Sequence, residues 1–279
     1  MSLPLILVTN DDGIESPGLA AAAAALSPLG ELLIIAPATQ QTSMGRSRSE
    51  QSGRDGRIFK TTVSFGSQSW EGFAANATPA LAVELGLQAL APRPVSLVVS
   101  GINYGENVGT CVTVSGTLGA ALEGAERGIR ALAISLETDE SHYYEHDRTI
   151  DFRPAMHFVH FFAAGSLSQA WPPDVDVLKI EIPAAATANT GWRVTRQDRL
   201  SYYRPVLLNR EAGVEQAKPF LYRVAKGQFS HEDSDAFALA RGLVSVTPLS
   251  LDLTSRVALN EVQTLFSMAA SRARPLPES

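Results

Sequence analysis

Through its first two thirds the chain alternates short, uninterrupted apolar runs with stretches that suit helix. Leu5-Ile6-Leu7-Val8-Thr9, Leu32-Leu33-Ile34-Ile35-Ala36, Val95 to Ser100 and Ala131 to Ser135 are largely apolar or β-branched and are bounded by turn signals, and Val175 to Ile182, which also carries charges, closes the α/β part as a further strand. Runs of that length and character predict strands buried on both faces, as in a parallel sheet. Between them, Leu19 to Leu29 contains the alanines Ala20 to Ala25, which favour helix and let it lie close to a sheet. Ser16-Pro17 and Thr78-Pro79 each read as an N-cap followed by proline at the first helical position. Helices are therefore predicted after Pro17, from Pro79 to Leu90, from Gly116 to about Gly128 and from Phe152 to Leu167. The strand–helix–strand rhythm implies right-handed crossovers. Ile58 to Phe65 and Ser69 to Phe73 alternate in polarity and predict a hairpin of edge strands.

After Pro183 the texture changes. Thr187 to Tyr203 mixes Thr, Arg, Trp and Tyr in strand-like fashion. Ser234-Asp235 precede a short helix from Ala236 to Arg241, and a strand from Gly242 to Thr247 is stopped by Pro248. A last amphipathic helix is predicted from Val257 to Ala273. The pattern divides the chain into an α/β core with a mostly parallel sheet, residues 1–185, and a β-rich C-terminal segment, residues 186–279. Strand pieces without the rhythm of the core would leave open edges on a monomer, so that segment is expected to serve oligomerisation.

Composition narrows the function classes. A net charge of −6 gives no basic footprint for a nucleic-acid duplex. The single cysteine, Cys111, excludes an internal disulfide framework. No apolar run approaches the roughly 20 residues needed to cross a bilayer, and the N-terminus has no basic leader. These features predict a cytoplasmic protein without a membrane partner.

The candidate chemistry lies in three loops that leave the C-terminal ends of predicted parallel strands, where open α/β sheets place their ligands. The first carries adjacent carboxylates, Asn10-Asp11-Asp12-Gly13. The second, Ala38 to Ser47, is rich in hydroxyls and amides. The third, Gly101 to Gly109, carries Asn103 and Asn107. Two neighbouring acids repel unless a cation or proton lies between them. The set is all oxygen, which suits Mg²⁺ or Mn²⁺ rather than zinc. Directly after the third loop, Ser115-Gly116-Thr117 at a helix start offers hydroxyls and backbone N–H groups to an anion such as phosphate. A simple Ser115 N-cap would look the same in sequence. Cation plus anion cradle points to phosphoryl chemistry. No P-loop, dinucleotide fingerprint or nucleophile elbow is present. An aspartyl-phosphate mechanism on Asp11 would pair it with an acid two residues on, where Gly13 stands. The loop from Glu137 to Asp147, with His142, Tyr143, Tyr144 and His146, lacks metal-ligand spacing and reads as a solvated flap.

Taken together, these residues resemble the SurE family of survival-protein phosphatases. The motifs are Val8 to Ile14 with Pro17-Gly18-Leu19; Val98 to Gly105 with Asn107 and Gly109; Ser115 to Ala121; and Ser234-Asp235 with Gly242 to Pro248. The resemblance implies a Rossmann-like core with helices on both faces and a divalent-metal-dependent nucleotidase acting on nucleoside 5′- or 3′-monophosphates. It implies Asp11, Asp12 and Asn103 as catalytic metal ligands, with one cation per subunit. A fourth ligand, a hydroxyl, falls by gap-free counting from Ala36-Pro37 on Thr42, with Ser43 beside it. Asn10, Ser43, Asn107, Ser115, Gly116 and Thr117 are then the expected substrate and phosphate contacts. Assembly as a homodimer or homotetramer is implied as well. The chain departs from the family at Leu81, where an Asp is usual, and at Arg46, where His is common. The competing reading is a non-enzymatic nucleotide-binding or stress-interaction protein on the same fold.

Overall fold

The computed structural model describes residues 3–48, 55–143, 146–208 and 218–270. Chain order runs β1 (Leu5–Thr9), α1 (Pro17–Leu26), β2 (Glu31–Pro37), β3 (Ile58–Phe65), β4 (Gln68–Ala75), α2 (Pro79–Leu85), β5 (Leu97–Tyr104) and α3 (Gly116–Glu126). It continues with β6 (Ala131–Leu136), α4 (Arg153–Ser168), β7 (Val177–Ile182), β8 (Trp192–Val194), β9 (Tyr203–Leu208), β10 (Lys218–Val224), α5 (Asp235–Ala240), β11 (Val244–Leu249) and α6 (Leu259–Ala270).

One sheet of nine strands, ordered β3-β4-β2-β1-β5-β6-β7-β11-β8, organises the fold. β4, β2, β1, β5, β6 and β7 are mutually parallel, β3 closes one edge as an antiparallel hairpin partner, and β11 pairs antiparallel with β7. Strand alternation sets the two layers. Ile6 and Val8 of β1 face one way and join Leu19 and Leu26 of α1 and Phe158 and Phe162 of α4. Leu5 and Leu7 face the other way and join Val83 of α2 and Leu118 and Ala121 of α3. A run without polar residues was needed because both faces are covered. The chain leaves β1 toward β2 on one side and returns after β4 to β5 on the other. The carboxyl ends of β1 and β5 therefore flank a topological switch point, the crevice where such sheets bind ligands.

The structure differs from the sequence expectations in several places; β11, for one, is not stopped by Pro248 but runs through it, Pro248 pairing with Leu178 of β7. The break expected at residue 185 does not coincide with the edge of the sheet. β8 and β11 come from the C-terminal segment yet extend the core sheet beyond β7, and only β9 and β10 form a separate antiparallel pair. Antiparallel addition at an edge needs no crossover helix, so it leaves no rhythm in the sequence. In addition, β5 runs on through Asn103 and Tyr104, which pair with Ser135 and Leu136 of β6 after an irregularity in register. The helix expected to reach Leu90 is α-helical only to Leu85, and Gly86–Leu90 is wound as a π-helical turn. The last three residues of the helix expected to reach Ala273 lie outside the described residues.

Candidate active site

Asp11 and Asp12 follow β1 directly and are almost fully buried, with 5% and 3% of their surfaces exposed. Asn10 shapes the turn that presents them. Its side chain donates to the Gly13 carbonyl and accepts from the Gly13 N–H, both at 3.1 Å. The Asn10 amide, expected as a substrate contact, is thus taken up inside the loop. Asp11 Oδ1 accepts a hydrogen bond from Thr117 Oγ1 at 2.5 Å. Asp12 accepts from Gln40 Nε2 at 3.3 Å on one oxygen and from the Tyr104 N–H at 3.4 Å on the other.

No Lys or Arg pairs with either carboxylate among the described residues. Burial pushes Asp11 up to about 6, although the Thr117 hydrogen bond pulls the other way. Burial, followed by the charge of Asp11, lifts Asp12 well above the usual carboxylate range. Two adjacent buried acids without a cationic partner are costly in a protein by itself. That imbalance is what a divalent cation relieves, so the residues fit one.

The remaining donors are amide and hydroxyl oxygens. Among the described residues no cluster of three or more His, Cys, Asp or Glu gathers. Asn103 reaches the crevice because β5 continues past Gly101. A Cβ at Gly101 would lie 2.2 Å from the Ile134 carbonyl oxygen, so only glycine lets the strand pass there. The Asn103 amide nitrogen donates to the carbonyls of Gly105, at 2.8 Å, and Tyr104, at 3.2 Å. Its side-chain oxygen is left as the atom available to a cation. The second loop is tied to the first by the Gln41 N–H, which donates to the Asp11 carbonyl at 2.7 Å. Thr42 and Ser43 come next and are both exposed, and Ser43 has a φ of 63°. Arg46 and Arg48 do not face the carboxylates. They pair with Glu123 and Glu126 and fasten the second loop to α3.

The start of α3 does hold an anion, but that anion is Asp11. A Cβ on Gly116 would lie 2.7 Å from Asp11 Cβ and Oδ2, so the carboxylate occupies the space a side chain would take. Ser115 caps the helix by accepting from the Leu118 N–H, at 3.1 Å. The hydroxyls of Ser115 and Thr117, expected to cradle phosphate, are therefore engaged in capping the helix and holding Asp11. The Asn107 amide nitrogen, expected to contact substrate, donates instead to Ser135 Oγ at 3.1 Å.

Sequence reasoning missed three residues here. Gln40 donates both to Asp12 and, at 2.7 Å, to the Tyr143 carbonyl. A His146 ring nitrogen lies 3.0 Å from the Asp12 carbonyl oxygen. Tyr143 packs on Gly105, where a Cβ would come within 2.6 Å of its ring. Of the loop expected as a solvated flap, Tyr143 and His146 are thus tied to the carboxylate loop, and Tyr144 lies outside the described residues. Nothing in its composition signals this, because the contacts join residues distant in sequence.

An open, mostly parallel α/β sheet with paired buried acids at its switch point defines an α/β protein whose candidate site is an acidic crevice on the carboxyl edge. Known proteins of that class narrow it further. The family described as Survival protein SurE matches residues 6–204. The 5′-nucleotidase SurE of Methanosarcina mazei is 36% identical over 271 residues, covering 94% of this chain and 98% of its own. The 5′-nucleotidase SurE of Thermococcus kodakarensis is 36% identical over 266 residues, with the same coverage. The crystal structure of the SurE protein from Aquifex aeolicus superposes with a TM-score of 0.71 at 30% identity, covering 94% of this chain and all of that one. The chain belongs to the SurE family.

Proposed function

We propose that this protein is a phosphoric monoester hydrolase that releases phosphate from nucleoside 5′- and 3′-monophosphates with the help of one divalent cation, Mg²⁺ or Mn²⁺. The observation that carries this reading is the pair of buried carboxylates at the sheet's switch point, with no cationic partner among the described residues. The relatives' naming as 5′-nucleotidases supports the substrate class.

Asp11 and Asp12 would hold the cation, together with the Asn103 amide oxygen and the Thr42 hydroxyl. Once bound, the cation supplies charge neutralisation and polarisation of a phosphoryl oxygen. Thr117 fixes the rotamer of Asp11, and Gln40 and the Tyr104 N–H fix that of Asp12, so both acids are oriented before substrate arrives. Gln40 ties Tyr143, and the Asp12 carbonyl ties His146, to the carboxylate loop. Thr42 is preferred to Ser43 as the hydroxyl ligand because it directly follows Gln41, whose backbone is bonded to Asp11. We further propose that self-association involves the C-terminal segment, beginning with the exposed apolar stripe of α6.

The test is phosphate release from a panel of 5′- and 3′-nucleoside monophosphates, with EDTA and with added Mg²⁺ or Mn²⁺. Release that EDTA abolishes and either cation restores is expected, as is a cation requirement that Thr42→Ala raises and Ser43→Ala leaves nearly unchanged. Absence of release from every nucleotide with both cations supplied would reject the reading.

A further inference from the structure

The loop from Glu106 to Gly109 leaves the carboxyl end of β5 just after Asn103, and its backbone lacks a strand partner that would satisfy it. Instead, the Asn107 N–H donates to Glu181 Oε2 at 2.8 Å, and the Gly109 N–H donates to Asp235 Oδ2 at 3.1 Å. Both carboxylates are completely buried, Glu181 on β7 and Asp235 at the start of α5. Lys179, also completely buried and two residues before Glu181 on the same face of β7, is their common counter-ion. Its Nζ lies 2.9 Å from Asp235 and 3.6 Å from Glu181. Ser135 links the same parts, donating to Glu181 at 3.4 Å and accepting from the Asn107 side chain. Asp235 also accepts the Asp198 N–H at 2.9 Å, so one carboxylate holds two loops.

A charged cluster of this kind is a poor way to gain stability, since an apolar replacement of similar volume is commonly as stable or more so. What apolar side chains cannot do is accept the two backbone N–H groups, which would then be buried without partners. We propose that Glu181 and Asp235, with Lys179 as counter-ion, are positioning residues of the active site. From beneath the sheet edge they hold the 105–109 loop so that its carbonyls fix the Asn103 side chain for the cation. None of the three is among the site's own contacts. Their influence passes through Asn107 and Gly109 to the Gly105 carbonyl, which holds Asn103. The proposal rests on the phosphatase reading for its kinetic consequence, but not for its structural one.

The experiment compares Glu181→Gln and Glu181→Leu in the full chain by amide hydrogen exchange over residues 103–110, by the Mn²⁺ concentration for half-activation, and by KM and kcat for 5′-AMP. The glutamine oxygen still accepts the Asn107 N–H, so Glu181→Gln should stay within about threefold of wild type in all readouts. Glu181→Leu should speed exchange in this loop by about tenfold or more while the rest of the sheet keeps its protection. It should raise KM and the Mn²⁺ requirement by about tenfold and change kcat little. Unchanged loop exchange and KM in Glu181→Leu, with only a lower melting temperature, would overturn the proposal. So would a Glu181→Gln variant as impaired as the leucine one. If wild type itself releases no phosphate, the phosphatase reading falls alone, and the exchange rates still decide the positioning role.

Discussion

At the scale of single residues, Asp11 and Asp12 have opposed effects on folding and on function. Buried together without a cation they weaken the fold, and that same uncompensated charge is what draws a divalent ion. The sign of the pH dependence follows. An unfolded aspartate titrates near 3.8, whereas Asp11 in the folded chain is pushed up to about 6. Between those values the folded state holds the extra proton, so Asp11 makes the stability of the metal-free protein fall as pH rises from about 4 to about 6, and Asp12, raised as well, adds to the fall. The Asp11 shift corresponds to a loss of roughly 3 kcal/mol from that one group. Asp11→Asn removes the titration. Its apo form is expected to be at least as stable as wild type at pH 7, and its turnover to fall by about a hundredfold or more. Thermal melts across this pH range with EDTA, paired with phosphate-release assays, check both statements. A variant that unfolds, or one that keeps its rate, would show that Asp11 is structural.

At the scale of elements, the site depends on how closely α3 approaches the end of β1. Small residues permit that approach, and Gly116 is the point of contact. An alanine there puts a methyl group 2.7 Å from the Asp11 carboxylate. Either the helix or the acid must move. Gly116→Ala is expected to cost about 1–3 kcal/mol and to impair cation binding far more than the fold. The second loop is held to the same helix at Gly119, where a Cβ would lie 2.1 Å from the Gly45 carbonyl oxygen. Gly119→Ala should therefore displace the Thr42 loop while leaving the Asp11 rotamer in place. Mn²⁺ titrations of the two variants separate them: Gly116→Ala should lose most of its affinity, and Gly119→Ala a smaller part. Equal affinity in wild type and Gly116→Ala would show that the tight contact at Asp11 has no bearing on the site.

At the scale of the whole molecule, the C-terminal segment has two parts with different roles. β8 and β11 belong to the main sheet, so removing everything after residue 185 would strip two strands from it. α6 is different. Leu259, Val262, Leu265 and Phe266 form a stripe at helical spacing, and each is between 42% and 73% exposed. A stripe like that on a helix is normally covered. Truncation after residue 255 is accordingly expected to leave the core folded and to reduce the sedimenting species from a dimer or tetramer to a monomer. A full-length chain that sediments as a monomer at micromolar concentration would refute the proposed assembly.

Much of this protein is legible in its order of residues. The apolar runs of β1, β2, β5 and β6 could only be buried strands, because no exposed or half-exposed element tolerates so few polar groups. Thr78-Pro79 and Ser115 marked helix starts by side-chain capping, Pro17 did so by its place at the first helical position, and Asp11-Asp12 stood out as adjacent charges that repel. What depended on tertiary structure was every feature made by residues distant in sequence. The sequence places a helix start at Ser115–Thr117, but only the fold shows that Asp11 lies against it. That Tyr143 and His146 are tied down depends on Gln40 and the Asp12 carbonyl meeting them. The same holds for Lys179, Glu181 and Asp235, whose mutual contact nothing in the sequence indicates. Local signals fix what a residue and its neighbours can do by themselves. Burial and partnership of polar groups are decided by contacts across the sheet, and no periodicity along the chain records them.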